Sequence, residues 1–117
     1  LGQALHAADI SNPAKPRFLQ IQWTERVMAE FFLQGDKEKA LGLPVSAFMD
    51  RDKPTVTQCQ MGFISVLVRP LYVEWRKLLG EDMQPSIEAL ADNLHGWEVE
   101  GISLCDAWTV AGRWRQQ

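Results

Sequence analysis

His6 and Asp9 stand three residues apart in Leu1-Gly2-Gln3-Ala4-Leu5-His6-Ala7-Ala8-Asp9, a stretch that reads as the second half of a helix. That spacing puts an imidazole and a carboxylate on one helix face, where both can reach one metal ion or one hydrogen-bond network. Asp9 also falls near the expected C-terminus of the helix, where a carboxylate opposes the macrodipole at a cost of about 0.3–1 kcal/mol. These two residues alone leave two readings open: a metal carboxylate, or an exposed acid beside a turn. The other histidine, His95, is far along the chain, so a complete ligand set is absent from the sequence.

Gln60 raises a second chemical question, because it shares a helical stripe with Phe63, Ile64 and Leu67. A buried amide has to be paired, and glutamine offers both a carbonyl acceptor and an amide donor. Phe63, one turn away, can stack on a planar ligand whose edge Gln60 reads; the alternative is a glutamine at the core edge paired to backbone. Trp23 and Trp75 read as core residues.

The elements that must position these groups are helical. Pro13 supplies no N–H and pushes Asn12 out of the helical region, so the first helix ends near Ser11-Asn12-Pro13. From Arg17 to Gln34, Leu19, Trp23, Val27 and Phe31 recur every four residues with Met28 and Phe32 beside them, which predicts an amphipathic helix capped by Gly35. Asp36 to Gly42 reads as a short charged continuation with a solvated face, and 43–54 as an irregular connection anchored by Val45, Phe48 and Met49. Thr55-Val56-Thr57-Gln58 has the form of a capping box and opens a long helix with a kink near Arg69, ahead of Pro70, running on to Gly80. Pro85 opens a further helix with Ile87, Leu90, Ala91 and Leu94 as its apolar face, and the pattern fades beyond Trp97. The fold class expected is all-α with about four helices; the tail 98–117 has no readable period.

Composition narrows the function. The 117 residues are 46% hydrophobic and 23% charged, enough apolar content for a packed core. Twelve basic against fifteen acidic residues leave a net charge of −3, which excludes a generic nucleic-acid binder. The longest apolar run, Met61 to Val68, is far short of the ~20 residues of a membrane span. Two cysteines make no disulfide framework and suit a reducing compartment, so a cytoplasmic address is expected. The opening in mid-helix, with neither Met nor N-cap, reads as a fragment.

Three blocks carry a resemblance. His6-Ala7-Ala8-Asp9-Ile10-Ser11-Asn12-Pro13, then the run from Gln22-Trp23-Thr24-Glu25-Arg26-Val27-Met28 through Phe31-Phe32-Leu33-Gln34-Gly35-Asp36-Lys37-Glu38, then Gln60-Met61-Gly62-Phe63-Ile64 stand in matching order with matching gaps. Over Leu1 to Trp97 the chain resembles the C-terminal part of the class I cyclic nucleotide phosphodiesterase catalytic domain. The resemblance implies a multi-helix domain that hydrolyses cAMP or cGMP at Zn2+ and a second divalent ion, usually Mg2+. It makes Asp9 a zinc ligand with His6 supporting it, places Asn12 at the purine pocket, and makes Gln60 the purine-binding glutamine. Phe63 then clamps the base from one side and Val27 packs on the other, while Trp23, Thr24, Phe31 and Phe48 line or support the pocket. The general acid, the other zinc ligands and a bridging aspartate are implied to lie on upstream helices of the same domain, outside these residues. The face formed by Trp23, Val27, Phe31 and Phe63 is expected to line a partly open groove. The rival reading is a non-catalytic helical fragment or pseudoenzyme that only binds a nucleotide or a partner chain.

Overall fold

The computed structural model describes residues 1–53 and 55–101, and every regular element among them is helical. Most of the tail 98–117, with Cys105, Trp108 and Trp114, lies outside the described residues. Helix α1 (Gly2–Asp9) ends as the proline requires, and Asn12–Ala14 form one 3-10 turn around a buried Pro13. The last carbonyls of α1 have no partner within the helix. Backbone N–H groups of Ile10 and Ser11 donate to the His6 and Ala8 carbonyls at 3.2 Å, and the Tyr72 hydroxyl donates to the Ala7 carbonyl at 3.1 Å. That last bond fastens the end of α1 to a helix 65 residues further on.

Helix α2 (Arg17–Ala40) is longer than expected, and Gly35 is not its cap. Gly35 is buried inside the helix because the connection after α2 folds back against it. A Cβ at Gly35 would overlap the Met49 carbonyl oxygen and sit 2.8 Å from the carbonyl carbon. The charge run that follows is not simply solvated, since it holds this connection down. Lys39 donates to Asp50 at 2.6 Å and Asp52 at 2.7 Å, Arg51 donates to Asp36 at 2.9 Å, and the N–H and hydroxyl of Ser46 both donate to the Glu38 carboxylate at 2.7 Å. Lys39 holds the Asp50 carboxyl below its ordinary range, and Gln34 followed by Ser46 does the same for Glu38. Both carboxyls are therefore bonded at neutral pH, and their ties are lost as pH falls through that lowered range. Solvent screens these ties, so their effect is to position the connection more than to stabilise the fold.

Gly35→Ala tests this packing. Alanine favours a helix interior by about 1 kcal/mol, but the overlap is with backbone and costs about 1–3 kcal/mol to relieve. The expected result is a net loss of stability in a urea melt, with faster proteolysis of residues 43–53. A variant as stable as the parent would remove the close approach as the reason for this glycine.

Helix α3 (Val56–Gly62) starts where the sequence places it, but the capping box does not form. Thr55 makes no side-chain capping bond, and its backbone (φ −122°, ψ 45°) departs from the extended geometry that aims a capping hydroxyl. Pro70 acts upstream of the expected kink. Residues Phe63–Val68 form a wider π segment before helix α4 (Arg69–Leu79). In a regular helix the proline ring would collide with the carbonyl four residues before it, and the wider turn relieves the collision without ending the helix. The rod ends at Gly80, whose φ of 66° is one that glycine adopts freely. A 3-10 turn, Gly80–Met83, leads into helix α5 (Gln84–Val99).

The core gathers Met28 and Phe32 of α2, Val56, Ile64, Val68 and Tyr72 of the α3–α4 rod, and Leu90 and Trp97 of α5. On α2 the buried row is Gln20, Thr24, Met28, Phe32 and Gly35, one residue along from the row the sequence favours. Trp23 is 42% exposed and not a core residue, and Trp75 is only half-buried. Two neighbouring rows of α2 share the four-residue spacing, and only packing against the other helices selects between them. On α5 the buried face is likewise Leu90, Asn93, Gly96 and Trp97, with Ala91 exposed. The molecule measures 47 × 30 × 18 Å, a slab, and none of its described helices is long and apolar enough to cross a membrane.

Candidate functional site

A chain of buried polar groups links α2, α3 and α5. Trp97 on α5 donates its indole N–H to the Gln20 side-chain oxygen at 3.3 Å. Gln20 in turn donates from Nε2 to Thr24 Oγ1 at 2.9 Å and to Gln60 Oε1 at 3.3 Å. The Thr24 hydroxyl donates back to the Gln20 main-chain carbonyl at 2.9 Å. Gln20, Thr24, Trp97 and Gln60 are each 3% exposed or less, so every one of these bonds replaces water.

The chemistry of this chain has a direction. An indole N–H can only donate, so it fixes which end of Gln20 is the carbonyl. The Gln20 amide nitrogen must then face Gln60, and the Gln60 oxygen must turn towards it. Gln60 Nε2 makes no hydrogen bond among the described residues and is left as a donor, with a second lone pair still open on Oε1. The amide is paired to a side chain on another helix, and not to backbone.

Phe63, half-buried against the core, follows Gln60 by one turn and opens the π segment. Val27 and Phe31 on α2 are half-buried, and the more exposed Trp23 carries the Arg26 guanidinium 5.1 Å from its ring centroid. Phe48 is 44% exposed and holds a positive φ of 66°, costly for a bulky residue and sustained by the charged ties on either side of it. Thr24 is buried and joined to Gln60 only through Gln20.

The other group of sequence-derived residues lies on α1 and the turn after it. Asp9, the last residue of α1, is exposed and makes no ion pair among the described residues, and His6 is exposed one turn earlier. Asn12 is half-buried, and its Oδ1 is inaccessible to solvent with no hydrogen-bond partner among the described residues. No group of three or more His, Cys, Asp or Glu side chains able to hold a metal lies among the described residues. One free carboxylate does not form a metal centre, so these residues alone do not fit a zinc site. Cys59, beside Gln60, is a free cysteine whose thiol burial pushes up, away from thiolate chemistry.

Gln20, Trp97 and Asn93 escaped the sequence reading. A polar residue in step with a buried row, as Gln20 is with Thr24, Met28 and Phe32, was the available sign, but the adjacent row Leu19-Trp23-Val27-Phe31 is the more apolar and draws attention away from it.

Known proteins with the same pattern were found along most of the chain. A sequence model of the 3'5'-cyclic nucleotide phosphodiesterase family matches residues 1–90. The chain is 46% identical over 93 residues to the rat 3',5'-cyclic-AMP phosphodiesterase 4C, covering 80% of the chain and 17% of that protein. It is 45% identical over 93 residues to the Caenorhabditis elegans probable 3',5'-cyclic-AMP phosphodiesterase pde-4, covering 80% of the chain and 14% of that protein. Over 72 residues it is 53% identical to the Dictyostelium discoideum 3',5'-cyclic-AMP phosphodiesterase 4, covering 62% of the chain and 7% of that protein. The chain therefore spans less than a fifth of the length of these relatives. With the three sequence blocks inside the matched stretch, this chain belongs to the 3'5'-cyclic nucleotide phosphodiesterase family.

Proposed function

We propose that residues 1–97 are the C-terminal part of a catalytic domain that hydrolyses 3',5'-cyclic nucleotides to 5'-nucleoside monophosphates, and that this part supplies the base-recognition side of the site. The observation that supports the reading is the Gln60 amide, whose oxygen is held by Gln20 and whose nitrogen makes no hydrogen bond among the described residues, one turn before Phe63 in the chain. Adenine offers an N7 acceptor beside an N6 donor, and guanine offers N7 and O6, both acceptors. A free Nε2 with one lone pair left on Oε1 can meet either edge, so we assign cAMP as substrate, in keeping with the relatives, and cGMP as a second one. Phe63 and Val27 hold the two faces of the base, Asn12 adds a polar contact at its rim, and Trp23, Phe31 and Phe48 enclose the pocket.

Asp9 contributes one carboxylate to a metal centre completed by residues outside this stretch, with His6 beside it. Zn2+ and a second divalent ion, Mg2+, would supply an activated water and neutralise phosphate charge at such a centre. The exposed apolar residues Leu5, Val66, Leu67 and Leu78 support an upstream part of the same domain as the missing partner. So does a cavity of about 360 Å3 lined by Gln3, Leu71, Glu74, Trp75 and Leu78. The protein works in the cytoplasm, where a free thiol such as Cys59 is stable.

The test has two arms. The 117-residue chain alone, supplied with zinc and magnesium, is expected to turn over neither nucleotide, because a catalytic zinc needs about three protein ligands and one is present. Replacing the matching stretch of the rat relative with residues 1–97 of this chain should give a protein that hydrolyses both. Turnover by the isolated chain overturns the division of labour. A graft that binds nucleotide without hydrolysing it favours the rival, a binding module.

A further inference from the structure

Asn93 is 1% exposed and lies on α5 four residues before Trp97, on the same buried face. Its amide nitrogen donates to the Pro13 carbonyl and to the Lys15 carbonyl, each at 2.8 Å, across 80 and 78 residues of chain. Its own oxygen has no partner among the described residues. A buried acceptor left unpaired is costly, and the two donated bonds offset that cost. Next to it Arg17 donates to the Asp92 main-chain carbonyl at 2.8 Å and pairs with the Asp92 carboxylate at 3.0 Å. Both carbonyls held by Asn93 belong to the short stretch that follows Asn12, whose Oδ1 is buried and unpaired.

One turn of α5 thus reaches two separate parts of the molecule. Trp97 sets the amide chain that ends on Gln60, and Asn93 holds the turn that carries Asn12. We propose that Asn93 is a positioning residue for nucleotide binding: by clamping the Pro13 and Lys15 carbonyls it sets Asn12 in register with Gln60. The inference rests on the reading of the site as a cyclic nucleotide pocket. A leucine, with the same branching at Cγ, would occupy the core at Asn93 without an unpaired oxygen, but would leave two turn carbonyls without their donors and the turn free to shift.

The test uses the grafted catalytic domain with Asn93→Ala and Asn93→Asp, the second keeping the shape while replacing the donor with an acceptor. The expected result is a rise in KM for cAMP of about tenfold, with kcat within about twofold and bound zinc unchanged. Amide hydrogen exchange should quicken over residues 11–17 and stay unchanged in the middle of α2. In an Asn12→Ala background the same Asn93 substitutions should add little further to KM, because the contact they position is already gone. A merely structural tie would quicken exchange or lower the melting temperature without moving KM, and that result overturns the proposal, as does a full rise in KM on top of Asn12→Ala. If the parent graft hydrolyses neither nucleotide, the functional reading fails by itself. Unchanged exchange at 11–17 in the Asn93 variants would then overturn the clamp on the turn as well.

Discussion

Asp9→Ala in the grafted catalytic domain is expected to lower turnover of cAMP and cGMP alike by at least about a hundredfold, together with a loss of bound zinc. The expectation follows from where the carboxylate sits. It is exposed at the end of α1, against the helix dipole, with no ion pair among the described residues to account for the charge. A carboxylate kept there for solubility alone could be removed with little effect on either measurement, since surface substitutions away from such features change stability by within about 0.5 kcal/mol. Loss of a metal ligand acts on the reaction and not on the base, so the two nucleotides should suffer equally. Metal content by elemental analysis and turnover at saturating nucleotide check this together, and near-normal values of both would remove Asp9 from the metal centre.

Gln60→Ala should act in the opposite way. It removes the hydrogen bonds that meet the purine edge and strands the Gln20 amide in the core, a loss of about 1–3 kcal/mol. KM for both nucleotides should rise about tenfold to a hundredfold, with a smaller effect on kcat, and the preference between adenine and guanine should change. Gln20→Leu refines the point, because it leaves Gln60 in place but frees its amide to rotate. The ratio of kcat/KM for cAMP to that for cGMP should then shift by about threefold to tenfold while the better substrate is still turned over. Phe63→Ala provides the contrast, since stacking uses the ring face and should weaken both nucleotides equally. If Gln60→Ala left KM and preference untouched, the amide would be a core residue and nothing more.

Much of this was written in the order of residues along the chain. Pro13 and Pro70 decide where backbone N–H groups are missing, so the end of α1 and a disturbance in the α3–α4 rod follow from local chemistry. The four-residue recurrence of apolar side chains determines that the chain is helical, and the spacing of His6, Asp9, Gln60 and Phe63 already raises the metal and base-recognition chemistry. Periodicity does not decide which of two adjacent rows is buried. On α2 both the row of Leu19 and the row of Gln20 recur every four residues, and on α5 Ala91 and Asn93 compete in the same manner. The choice is made by what the neighbouring helix offers: an indole N–H from Trp97, and two turn carbonyls that need a donor. Gly35 has the same lesson in backbone form, because a glycine at that spacing reads as a cap until Met49 is seen against it. The direction of the Gln60 amide is the clearest case. The sequence by itself determined that an amide is there; only the tertiary structure, through a donor 77 residues from Gln20, decided which way it turns, because hydrogen-bond polarity is passed along a chain of contacts that has no counterpart in local spacing.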